Sequence, residues 1–190
     1  AEAQQRLAEK QKERQELERS LAEKLKAAKR LKKEEVGFKK YKSRTWLVLE
    51  SGNVKVFYKT QTEKLAEKVI EAAEKYRLEC LRDFDCSAAD WSPKLDIYLY
   101  PDGASYGRST RQPPETPAYT AVELLNKRIV RRIISLNADA KNILTAILPH
   151  EMSHIITPQK LTSENVHRWF DEGLGISRES KELRALHYGN

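Results

Sequence analysis

From residue 46 onward, hydrophobic positions fall into short alternating runs and one long helical repeat. Trp46-Leu47-Val48-Leu49 and Val54-Lys55-Val56-Phe57-Tyr58 are β-rich runs, and the Glu50-Ser51-Gly52-Asn53 stretch between them predicts a hairpin with a four-residue loop. Thr60 followed by Glu63 matches a capping box. Leu65, Val69, Ala73, Tyr76, Cys80 and Phe84 then recur at helical spacing, which predicts an amphipathic helix over 62–84. Lys94 to Tyr100 sets Leu95, Ile97 and Leu99 on one face and stops at Pro101-Asp102-Gly103, so a strand and a turn follow. Ser105 to Pro117 carries three prolines and little apolar surface, and predicts a long loop. Tyr119 to Leu124 and Ile129 to Leu136 read as short strands, with helix an alternative for the second. Asp139 can cap a helix whose buried side holds Ile143, Leu144, Ile147 and Leu148 and which runs on into residue 150. Strands, a helix, more strands and further helices in that order indicate the α+β class.

Residues 1–36 have a different character. They lack Gly, Pro and aromatics and are built largely from strong helix formers, which predicts a long charged helical arm ahead of a domain spanning 37–190. Leu7, Leu21 and Ala28 can occupy heptad position a with Leu17 and Leu31 at d. Lys10, Arg14 and Lys24 interrupt that seam, so the coiled-coil signal is weak, and self-association through the arm is the partner it suggests.

The formal net charge of +7 divides into +3 over residues 1–35 (11 basic, 8 acidic) and +4 over the rest. Neither share is concentrated into the stripe that nucleic-acid binding needs, and a solvated mixed-charge helix is the expectation. Apolar runs such as Ile143 to Pro149 are far shorter than the roughly 20 residues of a membrane span. There is no basic-then-apolar leader, and Met152 is the only methionine, which suggests a chain trimmed at its start. Cys80 and Cys86 lack Cys-x-x-Cys spacing; they are either one local bridge or two packed thiols. A bridge would fit an oxidising compartment, and a secreted or periplasmic location is the mild expectation.

The chemistry concentrates in His150-Glu151-Met152-Ser153-His154. Two histidines four apart on one helix can reach a single metal ion, while Glu151 between them can accept a proton from metal-bound water. A catalytic zinc wants a third protein ligand and an open position. Glu172, in Trp169-Phe170-Asp171-Glu172-Gly173 and 18 residues after His154, can supply that ligand if Pro158 ends the first helix and Trp169 and Phe170 bury the start of a second. Pro149 should kink the first helix just before His150.

Together these two segments resemble the gluzincin zinc metallopeptidases, and most nearly the peptidase MA-like branch. The resemblance implies a thermolysin-like N-terminal subdomain, in which a small mixed sheet packs on the HExxH helix. It further implies zinc held by His150, His154 and Glu172, with Glu151 as the general base. Glu179 falls where such enzymes place a carboxylate that orients a zinc-binding histidine, and Asp171 is a second candidate for that task. His187 and Tyr188 are the downstream candidates for stabilising an oxyanion. The amino-terminus grip of the aminopeptidase branch needs a methionine upstream of the HExxH motif, where this chain has none, so an endopeptidase acting on peptide or protein substrates is expected. The strand Ile129 to Leu136 is the candidate for pairing with an extended substrate. Other substrate-binding residues are not assigned. The rival reading is a binding or assembly module, zinc-containing or metal-free, that uses the helical arm and no longer turns over substrate.

Overall fold

A computed structural model describes residues 37–88, 91–126, 128–160 and 168–179. The expected arm over 1–36, together with His187 and Tyr188, lies outside the described residues, as do the side chains of Trp169 and Phe170.

The described chain is a mixed α/β fold. Its strands are β1 (Lys39–Ser43), β2 (Trp46–Glu50), β3 (Val54–Tyr58), β4 (Leu95–Tyr100), β5 (Ala118–Leu125) and β6 (Arg128–Asn137). Its helices are α1 (Glu63–Asp83), α2 (Gly103–Thr110), α3 (Leu148–Lys160) and α4 (Arg168–Arg178). The six strands form one sheet in the order β1-β2-β3-β4-β6-β5. β3, β4 and β6 run parallel, while β1, β2 and β5 are joined by antiparallel pairing. The parallel β3–β4 step requires a crossover, and α1 supplies it.

Register sets the core. Val54 pairs with Leu95 and Val56 with Ile97, while Ile97 pairs with Ile134 and Leu99 with Leu136, so these side chains share one face. That face and Ala66, Val69, Ile70 and Ala73 of α1 bury one another, and Leu148, Met152, Ile155 and Ile156 of α3 complete the core. Each fully buried aliphatic side chain contributes roughly 1.5–3 kcal/mol. A polar anchor ties α1 to the β2–β3 turn. The buried Glu74 carboxylate accepts hydrogen bonds from Ser51 Oγ at 2.5 Å, the Asn53 backbone at 3.2 Å and Arg77 Nε at 2.7 Å. Burial acts to raise the Glu74 pKa, but the Ser51 and Arg77 hydrogen bonds outweigh it and hold it below the ordinary glutamate value.

Several expectations are corrected. Thr60 and Glu63 do not form a capping box. Thr60–Thr62 is a 3₁₀ turn, and Thr62 Oγ1 instead donates to Lys59 O at 2.9 Å. Much of the expected loop from Ser105 is helix α2. The Asp102 side chain caps it by accepting from Ser105 N at 2.6 Å, and Gly103 and Gly107 let the 112–114 segment lie against it: a Cβ on Gly103 would stand 2.4 Å from Pro114 O. Strand β1, absent from the prediction, is an edge strand whose Lys39, Lys40 and Lys42 obscure its pairing capacity while protecting the edge. Ile129 to Leu136 is not available to a substrate, because β6 is flanked by β4 and β5. Cys80 and Cys86 are not joined in a disulfide, and burial pushes the Cys80 pKa up to about 11, so it packs as a neutral side chain. Among the described residues, no helix is long and apolar enough to cross a membrane.

Candidate metal centre

α3 starts irregularly, and Pro149 explains how. Asn142, in a left-handed conformation with φ 59°, precedes a π-helical stretch at Ile143–Ile147, which passes into α3 at Leu148. Pro149 therefore sits in the first turn of α3, at the π-to-α junction, where its missing N–H leaves a carbonyl of the preceding turn without a helical donor. Tyr76 of α1 fills that need by donating to Leu144 O at 2.8 Å. Asp139 is not the cap; its carboxylate accepts from Gly103 N at 3.0 Å and so braces α2. Pro158 does not end α3, which continues to Lys160.

Beyond this start, α3 is two-sided. Met152, Ser153, Ile155 and Ile156 are buried, and Ser153 Oγ is satisfied by donating to His150 O at 2.7 Å. His150, Glu151 and His154 occupy the partly buried side, with the two imidazole centroids 4.9 Å apart. α4 packs against α3 and carries Glu172 and Gly175, and Glu179 follows directly after its last residue, the three spaced i, i+3 and i+7. That spacing encloses His150. Glu172 Oε2 lies 3.5 Å from its Nε2, and Glu179 Oε1 lies 3.0 Å from its Nδ1. Gly175 forms the floor between them, since a Cβ there would fall 2.6 to 2.8 Å from three atoms of the ring.

His154 has the same two-sided environment. Asp171 Oδ2 is 2.8 Å from its Nδ1, and Glu172 Oε2 is 4.0 Å from its Nε2. A carboxylate oxygen accepts, so Asp171 and Glu179 are each placed to receive an Nδ1–H, and in that tautomer of the neutral ring Nε2 is the nitrogen left to bind a metal. Both Nε2 atoms then face the Glu172 oxygen. One nitrogen from each histidine and one Glu172 oxygen lie within 4.8 Å of one another, a group that could hold a metal ion.

The donor set fits zinc. Tetrahedral zinc at about 2.0–2.1 Å from each ligand requires donors about 3.4 Å apart; the Glu172 oxygen lies 3.5 and 4.0 Å from the two nitrogens, and all three donor atoms are within 4.8 Å of one another. Three protein donors leave a fourth position open.

Glu151 lies on the same helix and is not one of this group's three residues. Its Oε2 accepts from Thr120 Oγ1 of β5 at 2.5 Å, which joins the HExxH helix to the edge strand. Thr120 carries no local sequence signal; only the pairing order of the sheet reveals it. Arg178 is likewise visible only in three dimensions. It closes α4 by donating to Asp83 Oδ2 at 2.5 Å and lies 5.5 Å over the Phe84 ring, so the carboxylate-bearing helix is fastened to the end of α1. Burial acts to raise the Asp83 pKa, but hydrogen bonds from Arg82 and Arg178 hold it below the usual carboxylate range.

Sequence reasoning thus named five side chains that the structure brings together: His150, His154, Asp171, Glu172 and Glu179. It named Glu151 as the general base, a role the geometry does not test, and missed Thr120, Gly175 and Arg178. Set against known proteins, the chain matches no protein family, no curated protein and no solved structure.

Proposed function

We propose that the chain is a zinc-dependent peptidase of gluzincin type, acting as an endopeptidase on peptide or protein substrates. One observation carries the reading: His150, His154 and Glu172 converge within 4.8 Å, and a fourth side chain, Glu151, stands on the same helix without joining them. A site that served only to staple the fold would close its fourth position and have no use for a held carboxylate beside it.

Zinc bound there supplies Lewis acidity, lowering the pKa of a water to about 7 and polarising a carbonyl. Glu151 takes the proton of the attacking water and delivers it to the leaving amine. Thr120 holds the carboxylate in place for both transfers. Asp171 and Glu179 fix the orientation and tautomer of the two histidines, which keeps Nε2 directed at the ligand position. β5 supports the substrate side of the proposal. Its outer edge has no paired strand among the described residues, and it carries Thr120, so an extended peptide added there would run past Glu151. A thermolysin-like subdomain is the finer fold reading that goes with this function, supported by the HExxH helix packed under a mixed sheet with an antiparallel edge strand.

Elemental analysis of desalted protein tests the metal. One zinc per chain is expected, falling by most of its occupancy in His154→Ala. Equal zinc in parent and variant would remove this site from the account.

A further inference from the structure

The β5–β6 hairpin ends in a tip whose surface the metal centre does not use. Leu124 pairs with Ile129 and Leu125 with Arg128, with Asn126 at φ 50° in the connecting turn and a register irregularity after Glu123. Successive strand residues point to opposite faces, so Leu124 and Leu125 project from opposite sides of the ribbon. Both stand in solvent, at 43% and 62% exposure, and Val130 beside them is 46% exposed. Three large aliphatic side chains are thus exposed within one short tip, distributed over both of its faces.

The net charge of the tip is positive. From Glu123 to Arg131 the sequence holds Lys127, Arg128 and Arg131 against Glu123, three minus one, or +2. Arg131 makes only long ion pairs, 3.6 Å to Glu123 and 3.9 Å to Asp96.

We propose that this tip docks on an anionic lipid surface. A protein groove would cover one face of a ribbon, whereas the aliphatic side chains here leave from both faces, which suits a medium that surrounds the tip. Arg128, paired with Leu125, and Lys127, next to it in sequence, match the negative headgroups at such an interface. A symmetric contact between two copies would set the +2 tip against itself. The inference stands apart from the metal site.

Vesicle sedimentation of the full chain tests this, with phosphatidylcholine alone and phosphatidylcholine mixed with phosphatidylglycerol. The chain should pellet with the mixed vesicles, release as salt is raised, and stay in solution with the neutral ones. Leu124→Ser combined with Leu125→Ser should weaken partitioning by about tenfold or more, the scale set by losing two partly inserted leucines. Arg128→Glu, which leaves both leucines in place and covers the case of a poorly folded double variant, should weaken it by about tenfold as well. No sedimentation with anionic vesicles would overturn the proposal. So would equal binding by parent and variants, which would move the lipid contact elsewhere in the chain, and so would equal binding to neutral vesicles. A dimer in sedimentation equilibrium that both variants dissolve, without lipid binding, would assign the tip to a second copy instead.

Discussion

The Thr120 hydroxyl donates to the Glu151 carboxylate at 2.5 Å, across 31 residues of sequence, and so connects the edge strand of the sheet to the helix that bears both histidines. The bond leaves the metal group alone and acts only on the proposed base. Thr120→Val keeps the shape of the side chain and removes the donor. Zinc content should be unchanged while peptide hydrolysis falls about tenfold or more, the scale of a lost hydrogen bond to a charged group. Thr120→Ser should restore most of the rate. A variant that loses zinc together with activity would mean that Thr120 supports the helix and not the base.

Gly175 gives a test of the site's floor. Its place under the His150 ring leaves no room for a side chain, whereas a Cβ at Gly173, two residues away on the same helix, would meet nothing within 4 Å. Gly175→Val should displace the imidazole and weaken zinc binding by about 10- to 100-fold, as loss of ligand orientation does. Gly173→Ala should bind as the parent does. Competition with a chromophoric chelator reads both, and similar affinities for the two variants would show that His150 can move without cost.

Glu74 predicts a pH dependence of stability. Its folded pKa lies below the ordinary value, so its contribution is present above about pH 4.5 and fades as the pH falls through the lower folded value. Near neutrality, Glu74→Ala should cost about 3 kcal/mol, because it strands the buried Arg77 and the Ser51 and Asn53 donors. Urea unfolding at pH 7 and below pH 4 should show the gap between parent and variant shrinking in acid. A gap that stays constant with pH would mean that packing, and not the ionised carboxylate, is what the mutation removes.

Local periodicity made much of this molecule legible. Leu95, Ile97 and Leu99 alternate because one face of β4 is buried and the other is half-open, and α1 shows its apolar stripe because it covers the sheet. The histidine pair is equally local, being a consequence of 3.6 residues per turn. Features set by long-range pairing left no such trace. β5 and not β6 is the edge strand, because the chain crosses from β4 to β5 and then inserts β6 between them. α2 is hidden by its own composition. Gly103 and Gly107 are poor helix formers that are needed where Gln112 and Pro114 press on the helix, and Tyr106 is its only buried residue. Pro149 was readable as a disturbance of the helix, but the compensating Tyr76 hydroxyl lies 68 residues upstream of its acceptor.

In the proposed function a metal and a base act together in the first half of α3, and Glu151→Gln tests this most directly. The substitution keeps the size of the side chain and removes its basicity. Zinc content and hydrolysis of a diverse unstructured peptide pool are measured on the same preparations of parent and variant. The account predicts one zinc in each, with hydrolysis in the parent that chelation abolishes and added zinc restores, and a fall of about 10² or more in the variant. Parent and variant that both hold zinc and are both inactive would contradict it, and would identify the domain as a zinc-containing binding module.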